Sequence, residues 1–129
     1  MNLWINGTLP SLNDYIHAIN QNRFTGNKLK KDTQDTILWF VRMAKLQPLN
    51  GLYDLMITWS EPSRKRDPDN IYSGVKYILD ALQVAGILES DSQKHIRNIS
   101  NELRIVKCNS GVNVEFIAVK VIEEYLWSR

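Results

Sequence analysis

The chain has 129 residues, 43% of them hydrophobic, and a formal net charge of +2 at pH 7. This length predicts a single domain, residues 1–129, whose core needs neither disulfides nor a structural metal. The small net charge does not by itself indicate a nucleic-acid-binding protein, so any basic binding surface has to come from local clusters of Lys and Arg.

Cys108 is the only cysteine in the sequence. It excludes an intramolecular disulfide and a zinc site built from several cysteines, and it predicts a reduced, cytoplasmic environment. The N-terminus lacks the basic and apolar regions of a signal peptide. Because no apolar run approaches the roughly 20 residues that a membrane span needs, we expect no membrane partner.

The first half of the chain predicts one strand, an irregular region and one helix. Weak alternation over residues 1–5 indicates a short strand. Residues 9–15 predict an irregular loop, and the polar residues 20–27, which include Gly26, predict a mobile surface segment. From residue 28 to residue 47, apolar side chains recur at spacings of three and four, as on one side of an α-helix.

The second half opens with a strand and a helix. Residues 53–59 are rich in strand formers; Trp59 is expected to pack against its neighbours, and stacking on a nucleotide is the alternative. A helix is predicted over residues 70–85, because its apolar side chains form one stripe at 3.6 residues per turn. Gly86, a residue favoured just past a helix end, would terminate it.

Two further strands are predicted over residues 94–107 and 112–122. The sequence Asn-Ser-Gly at residues 109–111 lies between them and predicts a hairpin. The tail, residues 123–129, is short, and its Trp127 is a candidate to pack on the domain. Together these elements predict an α/β fold: a small mixed sheet of about four strands with two helices packed on one face.

One segment carries most of the functional signal. Arg64, Lys65 and Arg66 directly precede Asp67 and Asp69, which are separated by a proline. The proline pushes the residue before it into an extended conformation, where side chains two apart point to the same side. The two carboxylates can therefore converge on a hard cation such as Mg²⁺, and the basic residues can receive a polyanion. This combination suggests a nuclease.

A simpler reading of the same residues stays open. Asp-Pro-Asp-Asn is also good turn and helix-capping chemistry, and the basic run can be a solvated loop. Lys76 and Asp80 lie on one polar side of the predicted helix, which can be a solvated face with one ion pair. Asp91, in the following loop, is unremarkable unless it meets Asp67 and Asp69.

Three motifs in this order resemble the RusA-type Holliday junction resolvases. They are Arg-Asp-Pro-Asp-Asn at residues 66–70, Lys-Tyr-Ile-Leu-Asp-Ala-Leu at residues 76–82 and Asp-Ser-Gln at residues 91–93. That family has D-x-D-N, K-x-x-x-D-A-L and D-S/D-Q segments in the same order. Pro-Ser-Leu-Asn-Asp-Tyr at residues 10–15 is similar to the family's opening loop, so the resemblance touches nearly the whole chain and implies a RusA-like fold.

The resemblance implies a homodimeric endonuclease that resolves Holliday junctions by paired nicks in four-way branched DNA, in recombination and repair, commonly encoded by phages or prophages. Mg²⁺ would be the cofactor, with Mn²⁺ as a substitute, and Asp67, Asp69 and Asp91 would hold it. Lys76 would neutralise negative charge that develops at the phosphate. Because two coordinated cuts need two sites, a two-fold related second copy would supply the other one.

The remaining site assignments also follow from the resemblance. Asp80 would orient the catalytic lysine. Arg64, Lys65 and Arg66 would contact backbone phosphates, which positions DNA without reading its sequence. Asn13, in the opening loop, is a candidate DNA-facing residue.

The chain departs from the family pattern at one point. Between Asp69-Asn70 and Lys76 it has five residues, where better-known members have two. Counting back from Asp80 assigns the catalytic role to Lys76, whereas counting forward from Asp69 assigns it to Ser73; we adopt Lys76. Alternative functions are a nuclease for flaps or forks, a non-cleaving DNA-junction-binding protein, and a protein-interaction domain whose acids only cap and turn.

Overall fold

The computed structural model describes residues 1–120. In that range four strands and four helical segments follow one another in the order β1 (Asn2–Asn6), α1 (Leu12–Gln21), α2 (Arg23–Met43), β2 (Tyr53–Glu61), α3 (Pro68–Tyr72), α4 (Val75–Val84), β3 (Ile96–Ile105) and β4 (Gly111–Ala118). None of the described helices is long and apolar enough to cross a bilayer. The tail 123–129 and the predicted packing of Trp127 lie outside the described residues.

The strands form one four-stranded sheet in the order β1-β4-β2-β3. β4 is antiparallel to both β1 and β2, whereas β2 and β3 are parallel. The predicted mixed α/β sheet of four strands is therefore confirmed. Along β2, Leu55, Ile57 and Trp59 are buried, while Met56 between them is 45% exposed. This alternation places the described helices on one face of the sheet, and none of the elements within residues 1–120 covers the opposite face.

The predicted hairpin between the last two strands is wrong, because β2 lies between β3 and β4. Asn109 does adopt the positive φ of a turn, at 60°, but turn chemistry fixes only a local reversal. Val112, Val114 and Phe116 are all buried. A strand with such a buried face is favoured in the interior of the sheet, and β3, which is exposed along most of its length, is left at the edge.

The predicted irregular loop at residues 9–15 is wrong from Leu12 onward, because α1 begins there. Residues 20–27 lie mostly at the surface as predicted, but they form the end of α1 and the start of α2. Ser11 is the N-cap of α1: its hydroxyl accepts from the Asp14 backbone N–H, and the Asp14 carboxylate accepts from the Ser11 backbone N–H. This capping box satisfies two donors at the helix start. Gly26 lets α2 approach α1 closely, because a Cβ there would collide with Ile19.

The second predicted helix is divided into α3 and α4 around Ser73 and Gly74. A Cβ at Gly74 would lie 3.1 Å from the Trp59 ring, so the glycine allows the backbone to pass close to the indole. Trp59 is 1% exposed, and its Nε1 donates to Asn101 Oδ1 at 2.8 Å. The alternative role for this tryptophan, stacking on a nucleotide, is therefore excluded.

The core lies between the inner face of the sheet and the helices. Leu3, Ile5, Ile37, Ile78 and Leu82 have no exposed surface and belong to one cluster. Burial of each such side chain stabilises the fold by about 1.5–3 kcal/mol relative to exposure. This packing fixes the position of α4, which carries the polar residues described next.

Candidate active site

Lys76 lies in the first turn of α4 between two carboxylates. Its Nζ is 3.1 Å from Asp80 Oδ1, one turn along the same helix, and 3.3 Å from Asp91 Oδ2. Asp91 is fifteen residues away in sequence, so the contact joins two of the three motifs singled out above. We call these three residues the lysine–carboxylate cluster.

The chain reverses after α4 to bring Asp91 to this position. Gly86 has a φ of +74°, which a side chain would disfavour. The backbone N–H groups of the next two residues both donate to the Leu82 carbonyl, at 3.0 and 3.2 Å, as in a glycine-terminated helix end. The segment then runs back toward the start of α4, where Asp91 meets Lys76.

The pKa of Lys76 is raised above its ordinary value, first by the hydrogen bond to Asp80 and then by the hydrogen bond to Asp91. The amine therefore stays protonated at neutral pH and cannot act as a general base there. Because the Lys76 side chain is 66% exposed, solvent screens both ion pairs. The two ion pairs therefore add little to the stability of the fold, and their main effect is to fix the position of the ammonium between the carboxylates.

Ser73, the other candidate position for the lysine, has a structural role. Its hydroxyl accepts from the Leu12 backbone N–H at 2.9 Å and donates to the Asn70 carbonyl at 2.6 Å. It thereby ties the start of α1 to the end of α3. Between the two candidates, Lys76 is the one whose side chain meets acidic residues, which agrees with the choice made on sequence spacing.

Asp67 and Asp69 are exposed at the start of α3. Asp67 has φ −71° and ψ 147°, the extended conformation expected before Pro68. It occupies the N-cap position, but its side chain makes no capping hydrogen bond. Capping therefore does not account for the Asp67 carboxylate.

The predicted metal ligands are not gathered in the part of the chain that the structure describes. Residues 1–120 contain no group of three or more His, Cys, Asp or Glu side chains placed to hold an ion. Asp67 lines a groove with Leu103 and Ile105, near the end of β3. Asp91 precedes the start of that strand and is paired with Lys76. Metal binding by Asp67, Asp69 and Asp91 thus stays a prediction.

The three basic residues at positions 64–66 differ in their surroundings: two are exposed, and the third forms an ion pair that holds the loop. Arg64 and Lys65 are exposed. The Arg66 guanidinium donates to both carboxylate oxygens of Glu61, from Nε at 2.9 Å and Nη2 at 3.0 Å, and from Nη1 to the Leu9 carbonyl at 2.7 Å. Because Glu61 is buried, Arg66 fastens this loop to the end of β2. The predicted phosphate contacts are therefore best served by Arg64 and Lys65.

A cavity of about 210 Å³ adjoins the lysine–carboxylate cluster; it is lined by Leu12, Tyr15, Lys30, Ser73, Lys76, Tyr77 and Asp80. Burial is the main cause that raises the pKa of Tyr77, which keeps its hydroxyl protonated. Asn13 is exposed on the neighbouring first turn of α1. Sequence reasoning missed Tyr15, Lys30 and Tyr77 as site residues; the capping box that starts α1 was the available signal for the first of them.

No protein-family model matches the chain, and a search of the curated proteins found no match.

Proposed function

We propose that the protein is a divalent-metal-dependent endonuclease of the RusA type, which resolves four-way DNA junctions as a homodimer. The observation that carries the proposal is the contact of Lys76 with Asp91, at 3.3 Å. Two motif residues that are distant in sequence meet there, on an exposed surface, in the order that the resemblance assigns to a catalytic centre.

Lys76 would act as a fixed positive charge in this enzyme. Its raised pKa keeps it cationic, and Asp80 on the same helix restricts where the ammonium can lie. A phosphodiester that enters the adjoining cavity can take up hydrogen bonds from the ammonium in place of a carboxylate. The lysine would then offset charge that develops on the phosphate as the P–O bond breaks.

Asp67, Asp69 and Asp91 are the proposed ligands of Mg²⁺, for which Mn²⁺ would substitute. A bound divalent ion would supply an activated water for attack on phosphorus. In the described part of the chain these three carboxylates do not meet at one point. Their arrangement fits the ion incompletely, and we assign no reaction step to it.

Calorimetric titration with Mg²⁺ tests the ligand assignment without a cleavage assay. Asp67→Asn should remove the heat of Mg²⁺ binding, and an isotherm equal to that of wild type contradicts the assignment.

Arg64 and Lys65 would hold the DNA backbone beside the acidic residues. Both are exposed on the loop held to the sheet by the Arg66–Glu61 ion pair. Contacts of this kind position a duplex without reading its sequence and weaken steeply as salt increases. Arg64→Ala/Lys65→Ala should therefore weaken junction binding and flatten its salt dependence.

The direct test is a metal-titrated cleavage assay on a synthetic four-way junction, with a linear duplex of the same sequence as reference. Paired nicks at the crossover are expected with Mg²⁺. Asp67→Asn should abolish cutting and leave junction binding intact, whereas the same change at Asp35, an exposed acid on α2, should alter neither. Absence of cleavage with every divalent metal contradicts the proposal.

The described residues do not bring Asp67, Asp69 and Asp91 together at one point. This separation favours one second candidate function, a protein that binds DNA junctions without cutting them. In that case the same assay would show junction binding with steep salt dependence and no nicks. A nuclease for flaps or forks would instead cut those substrates faster than the four-way junction.

A further inference from the structure

The cavity beside the lysine–carboxylate cluster lies where α1, α2 and α4 meet, and its lining is mostly apolar. Tyr15 and Tyr77 are both partly buried and contribute aromatic rings to it from two different helices. Leu12 adds an aliphatic side chain from the first turn of α1. Such a lining suits a flat, uncharged ring that stacks on aromatic side chains.

Two cations border the same cavity, Lys76 on α4 and Lys30 on α2. Within residues 1–120 the Lys30 ammonium has no hydrogen bond or ion pair, whereas Lys28, two residues earlier, pairs with Asp32 at 2.8 Å. Asp80 is the only acidic residue among the described residues that line the cavity. Two ammonium groups against one carboxylate leave one positive charge in excess, which suits a ligand that carries an anionic group.

The size of the cavity limits what this ligand can be. A volume of about 210 Å³ is large enough for one nucleobase and too small for a base pair. A base that stacks on the tyrosine rings leaves its sugar–phosphate at the rim, where Lys30 and Lys76 lie. A flat ring joined to an anion is the chemistry of a nucleotide, and proteins hold unpaired bases with aromatic side chains beside basic groups.

We infer that this cavity holds one unstacked nucleotide of the DNA, with its base against Tyr15 and Tyr77 and its phosphate facing Lys30 and Lys76. The inference rests on the proposed function for the identity of the ligand as branched DNA. A base has to leave the helix to enter the cavity, and this costs least where pairing and stacking are already interrupted. A strand-exchange point offers such a base, and an intact linear duplex does not. The cavity therefore selects branched DNA by its structure.

The test measures binding to a four-way junction without divalent metal, so that cleavage plays no part. Tyr15→Leu and Tyr77→Leu remove the rings but keep apolar side chains, and each should weaken junction binding about ten-fold. Tyr77→Phe keeps the ring and should bind like wild type. Phe24→Leu, at an exposed aromatic residue of α2 outside the cavity, should have no effect. None of these variants should alter binding to a linear duplex.

Abasic residues, placed one at a time next to the exchange point, identify the nucleotide that enters. One position should lower the affinity of wild type about ten-fold. Tyr15→Leu or Tyr77→Leu should cause no further loss on that junction, because the base that the rings contact is already absent. Lys30→Met should weaken binding to the intact and the abasic junction alike, since the phosphate remains. Its effect should exceed that of Lys31→Met, which removes the same charge from an exposed position outside the cavity.

The pattern of losses decides the inference. Tyrosine variants that weaken binding equally on the intact and abasic junctions, or equally on junction and linear duplex, overturn it. Equal effects of abasic residues at every position also overturn it. A protein that cuts junctions while its affinity for them depends on neither tyrosine refutes this inference alone. A protein that shows the expected pattern of binding but cuts no junction with any divalent metal refutes only the proposed nuclease.

Discussion

Replacing Arg66 by Met separates anchoring of the basic loop from contact with DNA. The guanidinium makes three hydrogen bonds, two to the Glu61 carboxylate and one to the Leu9 carbonyl. The Glu61 side chain is 5% exposed and that of Arg66 26%. Methionine keeps most of the side-chain volume but leaves the carboxylate buried without its partner.

The expected loss of stability is about 3 kcal/mol. Removing one member of a buried ion pair costs roughly 3–5 kcal/mol, and the partial exposure of Arg66 places this pair at the lower end. With a urea m-value of about 1.5 kcal/mol/M, the unfolding midpoint should fall by about 2 M. The double variant Glu61→Met/Arg66→Met also removes the buried, unpaired carboxylate, and it should recover most of the lost stability.

Urea unfolding followed by circular dichroism measures the three variants, and Lys65→Met serves as the matched control. Lys65 is exposed on the same loop, so its replacement should change stability by at most about 0.5 kcal/mol. An Arg66→Met variant as stable as wild type, with weaker junction binding, would show that this residue serves the DNA and that the loop does not depend on the ion pair.

Three further predictions concern the scaffold. Ser11→Ala removes the N-cap of α1 and should lower the free energy of unfolding by about 1 kcal/mol in urea titration; an unchanged midpoint contradicts this role. Gly111→Ala puts a Cβ 2.7 Å from the Ile5 carbonyl and should cost about 1–3 kcal/mol by the same measurement. The hydrogen bond from Arg97 holds the pKa of Asp54 below its ordinary value. Its stabilisation is therefore complete above about pH 4 and is lost as pH falls through the lowered pKa. Asp54→Asn should be less stable than wild type at pH 7, and the difference should shrink in acid; a constant difference refutes the linkage.

The sequence predicted those parts of the fold that depend on local periodicity. The apolar stripes of the two long helical regions and the alternation in β2 and β4 all correspond to observed elements. The hairpin failed because strand order depends on which faces must be buried, and a short turn does not encode that. The start of α1 was predicted as a loop, although Ser11 and Asp14 form a capping box there, because polar residues next to a proline are equally typical of irregular structure.

The candidate site was predictable in its residue types and only partly in its geometry. The spacing of Lys76 and Asp80 sets them one helical turn apart, and they do form an ion pair. The approach of Asp91 to Lys76 depends on the chain reversal at Gly86. The spacing of these residues in the sequence does not predict that reversal. The role of Arg66 was hidden for a similar reason: its partner Glu61 is buried only because β2 ends there.

The break at Ser73 and Gly74 has a consequence for how the lysine should be located in a sequence. In an unbroken helix, three added residues would rotate everything beyond them by about 300°. Here α4 begins anew after the break, and its orientation is set by the burial of Ile78 and Leu82. A count of residues within α4 is therefore the better guide to which side chain meets Asp91, because that helix is continuous from Val75 to Val84.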